Sequence, residues 1–192
     1  MPRLFLLLPL LIFSILGFLF FQGMNLDPNT LPSPLLGKPL PAFELPALRD
    51  PSRVISDKEI KGPALVNFWA SWCAACRDEH ALLLDLARNA GVTIYGIDYV
   101  DRREAALDWL DRLGDPYAAV LFDERGTLGS EFQVMGAPET YAVDGGNIVR
   151  YRHVGRLTWE VWTAMQAALA GPAPHPGPEG EGEQGCCDFH VE

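Results

Sequence analysis

The sequence predicts an α/β domain with a central mixed β-sheet and helices on both of its faces. Apolar strand patterns alternate with amphipathic helix patterns through the middle of the chain, which is typical of parallel strands joined by helices. Cys73 and Cys76 directly follow one apolar strand pattern, residues 64–69. Near the end of the chain, Gly145-Gly146 separates two further strand patterns and indicates an antiparallel hairpin.

A single N-terminal transmembrane helix is predicted ahead of this domain. Residues 4–21 carry no charged side chain, and Arg3 is the only cation beside them. As a helix they would be about 27 Å long, close to the roughly 30 Å of a bilayer's hydrocarbon core. We therefore assign residues 1–22 to a membrane anchor, and the positive-inside rule places the rest of the chain outside the cytoplasm. Residues 23–41 contain five prolines and are predicted to be an extended linker.

Residues 42–170 are the predicted folded domain. Residues 42–48 and 52–56 match the two short strands of a hairpin, and residues 64–69 match a strand buried on both faces. The remaining elements are a helix from Cys73 to about Asn89, a strand at 92–97, a helix at 102–113, a strand at 118–122, strands at 139–144 and 147–154, and a last helix at 159–169. Residues 171–192 are acidic, rich in glycine and proline, and predicted to be a disordered tail.

The two cysteines of the Cys73-Ala74-Ala75-Cys76 segment predict thiol–disulfide exchange. A helix that begins at Cys73 brings both cysteines onto one face, within disulfide reach. Its N-terminus favours a thiolate, so Cys73 is predicted to be a solvent-facing nucleophile. Cys76, one turn inside the helix and covered, is predicted to be the resolving thiol. A redox-active Cys73–Cys76 disulfide is therefore expected in place of a cofactor, and a Cys-x-x-Cys motif beside a strand–helix–strand pattern indicates a thioredoxin-like fold.

Charge and spacing argue against several other functions. The formal net charge is −10 and the longest basic cluster is Arg102-Arg103, so no nucleic-acid partner is predicted. Covalent haem attachment needs histidine directly after the second cysteine, where Arg77 stands. The main rival of another class is a metal site built from Cys73, Cys76 and His80, completed by Cys186, Cys187, His190 or His153. Structural zinc normally needs a second ligand pair at a characteristic spacing, so no metal is predicted.

Three stretches of the chain resemble the DsbE/CcmG branch of the thioredoxin superfamily, the membrane-anchored reductases of cytochrome c maturation. They are residues 72–80, 136–141 and 148–155. The resemblance covers roughly residues 35–169, including the segment 98–133, which in that branch is an insertion relative to thioredoxin. A peroxidase of related fold is excluded, because a resemblance to peroxiredoxins would require threonine where this chain has Ala70.

The resemblance implies a reductase that keeps the CxxCH cysteines of apocytochrome c, or the thiols of the haem-ligation apparatus, reduced for haem attachment. It implies a membrane thiol-electron transporter of the DsbD/CcdA type as the reductant. It also implies a single-pass protein of the bacterial inner membrane with its catalytic domain in the periplasm. The alternative is a general TlpA-like reductase of the same fold, acting on other partners such as copper-site assembly proteins.

The resemblance also assigns roles beside the dithiol. Pro138 is implied to be a cis-proline whose loop packs against the cysteine pair and whose adjacent backbone pairs with an extended substrate strand. Trp72, Glu79 and Glu139 are implied to tune the redox properties or to contact the substrate. The plainer alternatives are a solvated first-turn residue for Glu79 and a surface charge for Glu139. Asn67 stands where thioredoxin has a buried aspartate, so a proton shuttle at that position is lost.

Overall fold

The computed structural model describes residues 9, 11–18, 20 and 33–170. The described residues before Ser33 are helical. Among all described residues, no helix is both long enough and apolar enough to cross a membrane. The other residues of the predicted anchor, residues 23–32 of the predicted linker and the predicted tail, residues 171–192, lie outside the described residues.

A five-stranded mixed sheet forms the centre of the domain, as the sequence predicts. Its strands are β3 (Ala64–Trp69), β4 (Ile94–Tyr99), β5 (Ala119–Asp123), β6 (Glu139–Val143) and β7 (Val149–Val154), and the short strands β1 (Glu44–Pro46) and β2 (Val54–Ser56) pair as a separate antiparallel hairpin. The order across the sheet is β5-β4-β3-β6-β7. Strands β3, β4 and β5 run parallel, while β6 and β7 are antiparallel to their neighbours. The central strand β3 is therefore flanked on both sides, which explains its almost unbroken apolar sequence.

Helices cover both faces of this sheet, which confirms the predicted fold class. In the described residues they are α1 (Ala74–Arg88), α2 (Arg103–Leu113), α3 (Thr127–Phe132) and α4 (Trp159–Ala170). Side chains of α1, α2 and α4 pack on the face that carries Leu65 and Trp69 of β3. The opposite face carries Val66 and Phe68 and is covered by α3 and by the β1–β2 hairpin. The dithiol at the start of α1 therefore belongs to the first of these two faces.

Four strands, β1, β2, β4 and β7, each begin two residues later than predicted, and one helix was not predicted. Strand β4 begins at Ile94, two residues later than predicted, because the chain after α1 turns through Gly91 at φ 66° and Val92 still donates its N–H to the Leu86 carbonyl at 3.0 Å. Helix α3 was not predicted, since six residues are too few to show a helical period. Its first turn is held by Asp123, whose carboxylate accepts hydrogen bonds from the Thr127 N–H at 2.8 Å and the Gly129 N–H at 2.9 Å.

Both edges of the sheet are covered by the chain segment that precedes β3. At the β7 edge, the Gly37 N–H donates to the Val149 carbonyl at 2.8 Å and the Val149 N–H donates to the Lys38 carbonyl at 2.9 Å. At the β5 edge, the Leu48 N–H donates to the Val120 carbonyl at 2.8 Å. The structure thus places residues 33–41, which the sequence assigns to the linker, on the folded domain.

Candidate active site

Cys73 and Cys76 form a disulfide at the amino end of α1. Strand β3 ends at Trp69, and Cys73 is the N-cap residue of the helix. The Sγ atom of Cys73 accepts a hydrogen bond from the Cys76 backbone N–H at 3.0 Å. This N–H has no carbonyl partner within the helix and points at the sulfur that would carry the negative charge in the reduced protein. Such a hydrogen bond lowers the pKa of the thiol. The predicted position of Cys73 at the helix start is confirmed.

Both cysteines are buried in this disulfide-bonded state. Cys73 is 5% exposed and Cys76 is 2% exposed. The expectation that Cys73 faces solvent is therefore wrong here, although Cys73 is still the more exposed of the two. The cause is packing, because the pair lies in a cluster with Trp69 and Ala70, and Ala137 of a distant loop packs against the same cluster.

The loop after β4 holds the turn that leads into the cysteines. The Trp72 indole N–H donates to the Val100 carbonyl at 2.9 Å, while the Trp72 side chain stays 58% exposed. The Ser71 backbone N–H and hydroxyl donate to the Asp101 carboxylate at 2.5 Å and 2.9 Å. Trp72 therefore presents a large aromatic surface in a fixed orientation beside the disulfide.

The Ala137–Pro138 peptide is cis, as the resemblance implies. The Pro138 carbonyl accepts a hydrogen bond from the Gly155 N–H at 2.9 Å, so the backbone on that side of the loop is paired within the domain. A second cis peptide, Gly62–Pro63, was not predicted.

Glu79 is the centre of a buried polar network on the dithiol face of the sheet. It lies three residues after Cys76 on α1 and is fully buried, so the alternative of a solvated residue is wrong. One carboxylate oxygen accepts from the Asn67 side-chain amide at 2.9 Å, and the other accepts from the Leu157 N–H at 2.6 Å. The Asn67 carbonyl oxygen accepts from the Tyr117 hydroxyl at 2.9 Å, so the network reaches the loop before β5.

Burial shifts the protonation of this network. Loss of hydration raises the pKa of Glu79 to about 7, against the opposing effect of its two hydrogen-bond donors. Burial also raises the pKa of Tyr117 well above its usual value, and the nearby carboxyl groups of Glu79, Asp115 and Asp98 add to this shift. Near neutral pH the network therefore holds a neutral phenol and a carboxyl group that is close to half-protonated.

Glu79→Gln should remove part of the pH dependence of folding stability. The pKa of Glu79 is higher in the folded protein than in the unfolded chain, so its contribution to stability is fully present below about pH 4 and is lost as the pH rises through 7. We expect the free energy of unfolding of the wild type to fall between pH 5 and pH 8 by on the order of 2 kcal/mol more than that of the variant. Urea unfolding of the disulfide-bonded proteins at both pH values measures this difference.

The exposed Glu104→Gln on α2 is the matched control and should follow the wild type at both pH values. An equal pH dependence in the Glu79 variant and the wild type would show that the Glu79 carboxyl group is not titrating in this range.

Glu139 lies on the other face of the sheet from Glu79. It is fully buried, so the alternative of a surface charge is wrong. One of its oxygens accepts from the Arg152 guanidinium at 2.6 Å and lies in hydrogen-bond contact with the Tyr141 hydroxyl; the other accepts from the Met135 N–H at 3.3 Å. Glu139 follows the cis-proline directly, but its charge is paired with Arg152. The two acidic residues of the sequence prediction therefore do not form one cluster.

His80 does not act as a free ligand in this structure. It is buried on α1, and its Nε2 atom lies 2.9 Å from the Gly114 carbonyl oxygen. Within the described part of the chain, no group of three or more histidine, cysteine, aspartate or glutamate side chains could hold a metal ion. Cys186, Cys187 and His190, which the rival metal site invokes, lie outside the described residues.

Several residues that shape this site were not identified from the sequence. They are Tyr117, Thr140, Arg152, Asp98 and Asp101. Asn67 and Asp98 each place a polar side chain inside an otherwise apolar strand, which is a signal visible in the sequence. Their hydrogen-bond partners could not be identified from the sequence, because the Thr140 hydroxyl that accepts from Asn67 at 3.0 Å is 73 positions away along the chain.

Comparison with known proteins agrees with this site. Residues 36–152 match the model of the AhpC/TSA family. The chain is 49% identical over 170 residues to the thiol:disulfide interchange protein DsbE of Pseudomonas aeruginosa, covering 88% of this chain and 94% of that one. It is 44% identical over 169 residues to DsbE of Escherichia coli K12, covering 84% and 91% of the two chains.

Solved structures show the same fold. A thio-disulfide isomerase from Thermus thermophilus superposes with a TM-score of 0.58 at 28% identity, covering 71% of this chain and 99% of that one. A secreted Mycobacterium tuberculosis disulfide oxidoreductase, described as homologous to E. coli DsbE, superposes with a TM-score of 0.56 at 20% identity, covering 66% and 96%. The structural likeness thus supports the thioredoxin-like architecture built around Cys73 and Cys76.

Proposed function

The chain belongs to the AhpC/TSA family and to the DsbE thiol:disulfide interchange proteins, and on that premise we propose that it is the reductase of a cytochrome c maturation pathway. It is a thiol-disulfide oxidoreductase. In the proposed role it keeps the CxxCH cysteines of apocytochrome c, or the thiols of the haem-ligation apparatus, reduced for haem attachment. The observation that carries the proposal is the Cys73–Cys76 disulfide at the amino end of α1, with the Cys76 N–H directed at the Cys73 sulfur.

The reaction follows from the places of the two sulfurs. In the reduced protein, the Cys73 thiolate attacks one sulfur of a substrate disulfide and forms a mixed disulfide, while the other substrate sulfur leaves as a thiolate and takes up a proton. Cys76, after losing its proton, attacks the Cys73 sulfur and releases the second substrate thiol. Two electrons pass from the protein to the substrate, and the product is the Cys73–Cys76 disulfide seen in the structure.

The direction of electron transfer between this protein and its substrate depends on the cellular compartment. Compartments outside the inner membrane oxidise cysteines, whereas haem attachment requires reduced ones, so a protein of this kind acts usefully there as a reductant. Its electrons come, in this proposal, from a membrane thiol-electron transporter of the DsbD/CcdA type. The domain would face the periplasm, tethered by the apolar segment of residues 4–21 as a single-pass anchor.

The test is deletion of the gene followed by assay of holocytochromes c, with and without an added small-molecule thiol. Loss of holocytochromes, recovery with the added thiol, and recovery with the wild-type gene but not with Cys73→Ser are the expected results. Trapping of thiol states in respiring cells should find Cys73 and Cys76 mostly reduced. Normal holocytochromes in the deletion strain would contradict the proposal, and a defect confined to copper enzymes would favour the general TlpA-like reductase instead.

A further inference from the structure

Asp98 is a buried carboxyl group that the reaction described above does not use. It is the fifth residue of β4, and its side chain is 0% exposed. Neither of its carboxylate oxygens has a hydrogen-bond partner among the described residues. An unpaired polar group in a protein interior destabilises the fold, and a charged one does so more strongly. Such a group is therefore expected to be neutral, and its retention in the core calls for a functional reason.

The side chain of Asp98 lies on the same face of the sheet as the disulfide. In the strand register, Asp98 is paired with Trp69 of β3 on one side and Phe122 of β5 on the other. Residues paired in this way point to the same face. Trp69 and Phe122 pack in one cluster with Cys73 and Cys76. The carboxyl group thus shares its closest strand neighbours with the dithiol.

The chain just after Asp98 is fixed to the turn just before the first cysteine. The Val100 carbonyl accepts from the Trp72 indole at 2.9 Å, and the Asp101 carboxylate accepts from the Ser71 N–H at 2.5 Å. A charge on Asp98 would act on the cysteines across the buried cluster that contains Trp69 and Phe122, where charges interact more strongly than in solution.

Charged and titratable groups reach Asp98 from each element packed around it. They are Arg103 from α2, Asp101 from the loop after β4, and Tyr117 from the loop before β5, while Glu79 from α1 acts on Tyr117. Burial, followed by the Asp101 carboxyl group, raises the pKa of Asp98 to about 8, and Arg103 opposes this shift. The Arg103 guanidinium donates instead to the Ala47 and Leu48 carbonyls, so it does not neutralise Asp98 by a direct ion pair.

We propose that Asp98 is a positioning residue that couples the redox state of the Cys73–Cys76 pair to pH. Its carboxyl group stays neutral in the working enzyme and, once ionised, disfavours the reduced state that carries a Cys73 thiolate. The inference rests on thiol–disulfide exchange and does not depend on cytochrome c as the substrate.

The protons taken up during reduction couple the redox state of the Cys73–Cys76 pair to the charge of Asp98. A dithiol donor gives up two electrons and two protons as it becomes a disulfide, and the Cys73–Cys76 disulfide becomes one thiolate and one thiol, which retains one of these protons. When Asp98 is already ionised, the new thiolate repels its charge, and Asp98 binds the second proton as well. Reduction of the disulfide thus lowers the acidity constant of Asp98. By linkage, ionisation of Asp98 lowers the equilibrium constant for reduction by the same factor. Relative to a protein with a neutral side chain at this position, reduction of the wild type therefore becomes harder as the pH rises through the range in which Asp98 ionises.

The test compares Asp98→Asn with the wild type in the full-length chain. Asparagine keeps the size and polarity of the side chain but cannot ionise. The equilibrium constant for reduction by dithiothreitol should be measured at pH 6.5 and pH 9.5. We expect the ratio of this constant, variant over wild type, to be at least threefold larger at the higher pH. Asp108→Asn, the same change at an exposed position of α2, should leave the ratio equal at both pH values.

A second measurement uses the wild type alone and so does not depend on the folding of a variant. Carbon-13 NMR of the aspartate carboxyl groups should show a midpoint for Asp98 that is higher in the reduced protein than in the disulfide form. Equal midpoints in the two redox states, or a ratio of equilibrium constants that does not change with pH, would overturn the inference. A wild type that does not exchange disulfides at all would refute the proposed function instead, so the two failures are distinguishable.

Discussion

Cys73→Ser should abolish disulfide exchange, with a loss of about 10³-fold or more in rate. Cys73 is the N-cap residue of α1 and receives the Cys76 N–H, so it is the sulfur whose thiolate the helix stabilises. Serine at this position cannot form the mixed disulfide on which both later steps depend. The rate of reduction of a protein disulfide, measured with the full-length chain, gives the size of the loss.

Cys76→Ser should fail at a different step. Cys73 can still attack, but without the resolving thiol the partner stays covalently attached. Non-reducing gels should therefore show an adduct that is cleaved by added thiol. We expect mass spectrometry to identify an apocytochrome c or a thiol protein of the haem-ligation apparatus. A double change of Cys186 and Cys187 to serine is the matched control and should keep the wild-type rate. If Cys73→Ser traps a partner and Cys76→Ser traps none, the nucleophile is the other cysteine.

Arg152→Met should destabilise the disulfide-bonded protein by about 3–5 kcal/mol. Glu139 is fully buried and depends on the Arg152 guanidinium for a hydrogen bond of 2.6 Å and for its counter-charge. The Arg152 side chain is itself only 8% exposed, so water does not replace the lost partner. Removing one member of a buried ion pair leaves an uncompensated charge, which is far more costly than removing a surface pair. Urea unfolding at neutral pH measures the difference.

A second variant separates the effect of the unpaired Glu139 charge on stability from the effect of lost arginine packing. Glu139→Gln combined with Arg152→Met removes both charges and should recover at least half of the lost stability, since no buried charge remains. Arg150→Met is the control on the same strand, because Arg150 pairs with Asp144 at a partly exposed position of the hairpin, where the cost should be smaller. A double variant as unstable as Arg152→Met would show that the arginine stabilises the domain by packing alone.

Local patterns were sufficient to predict the position of the dithiol. The apolar run of β3, the turn at Trp72 and the helix after it are neighbours in the sequence, and their geometry depends on short-range rules of capping and helix period. The cis peptide before Pro138 was expected from the family resemblance alone, since nothing in the composition around a proline determines its isomer.

The environment of the dithiol could not be predicted in the same way. Burial raises the pKa of Glu79, and the two donors that oppose this shift, Asn67 and Leu157, lie 12 and 78 positions away along the chain. The separation of Glu79 and Glu139 onto opposite faces depends on the order of the strands across the sheet. The burial of Cys73 likewise depends on contacts made by a distant loop. Such features belong to the assembled sheet and are absent from any single segment.

The backbone pairing of residues 37–38 with β7 and of Leu48 with β5 also affects how the isolated domain would behave. Exposed strand edges are templates for pairing between molecules, and this segment occupies part of both edges of the sheet. A soluble fragment that begins after Leu48 would leave β5 and β7 open, and we expect it to aggregate. A fragment that begins at Ser33 retains both contacts and is therefore better suited to crystallisation and to concentrated samples.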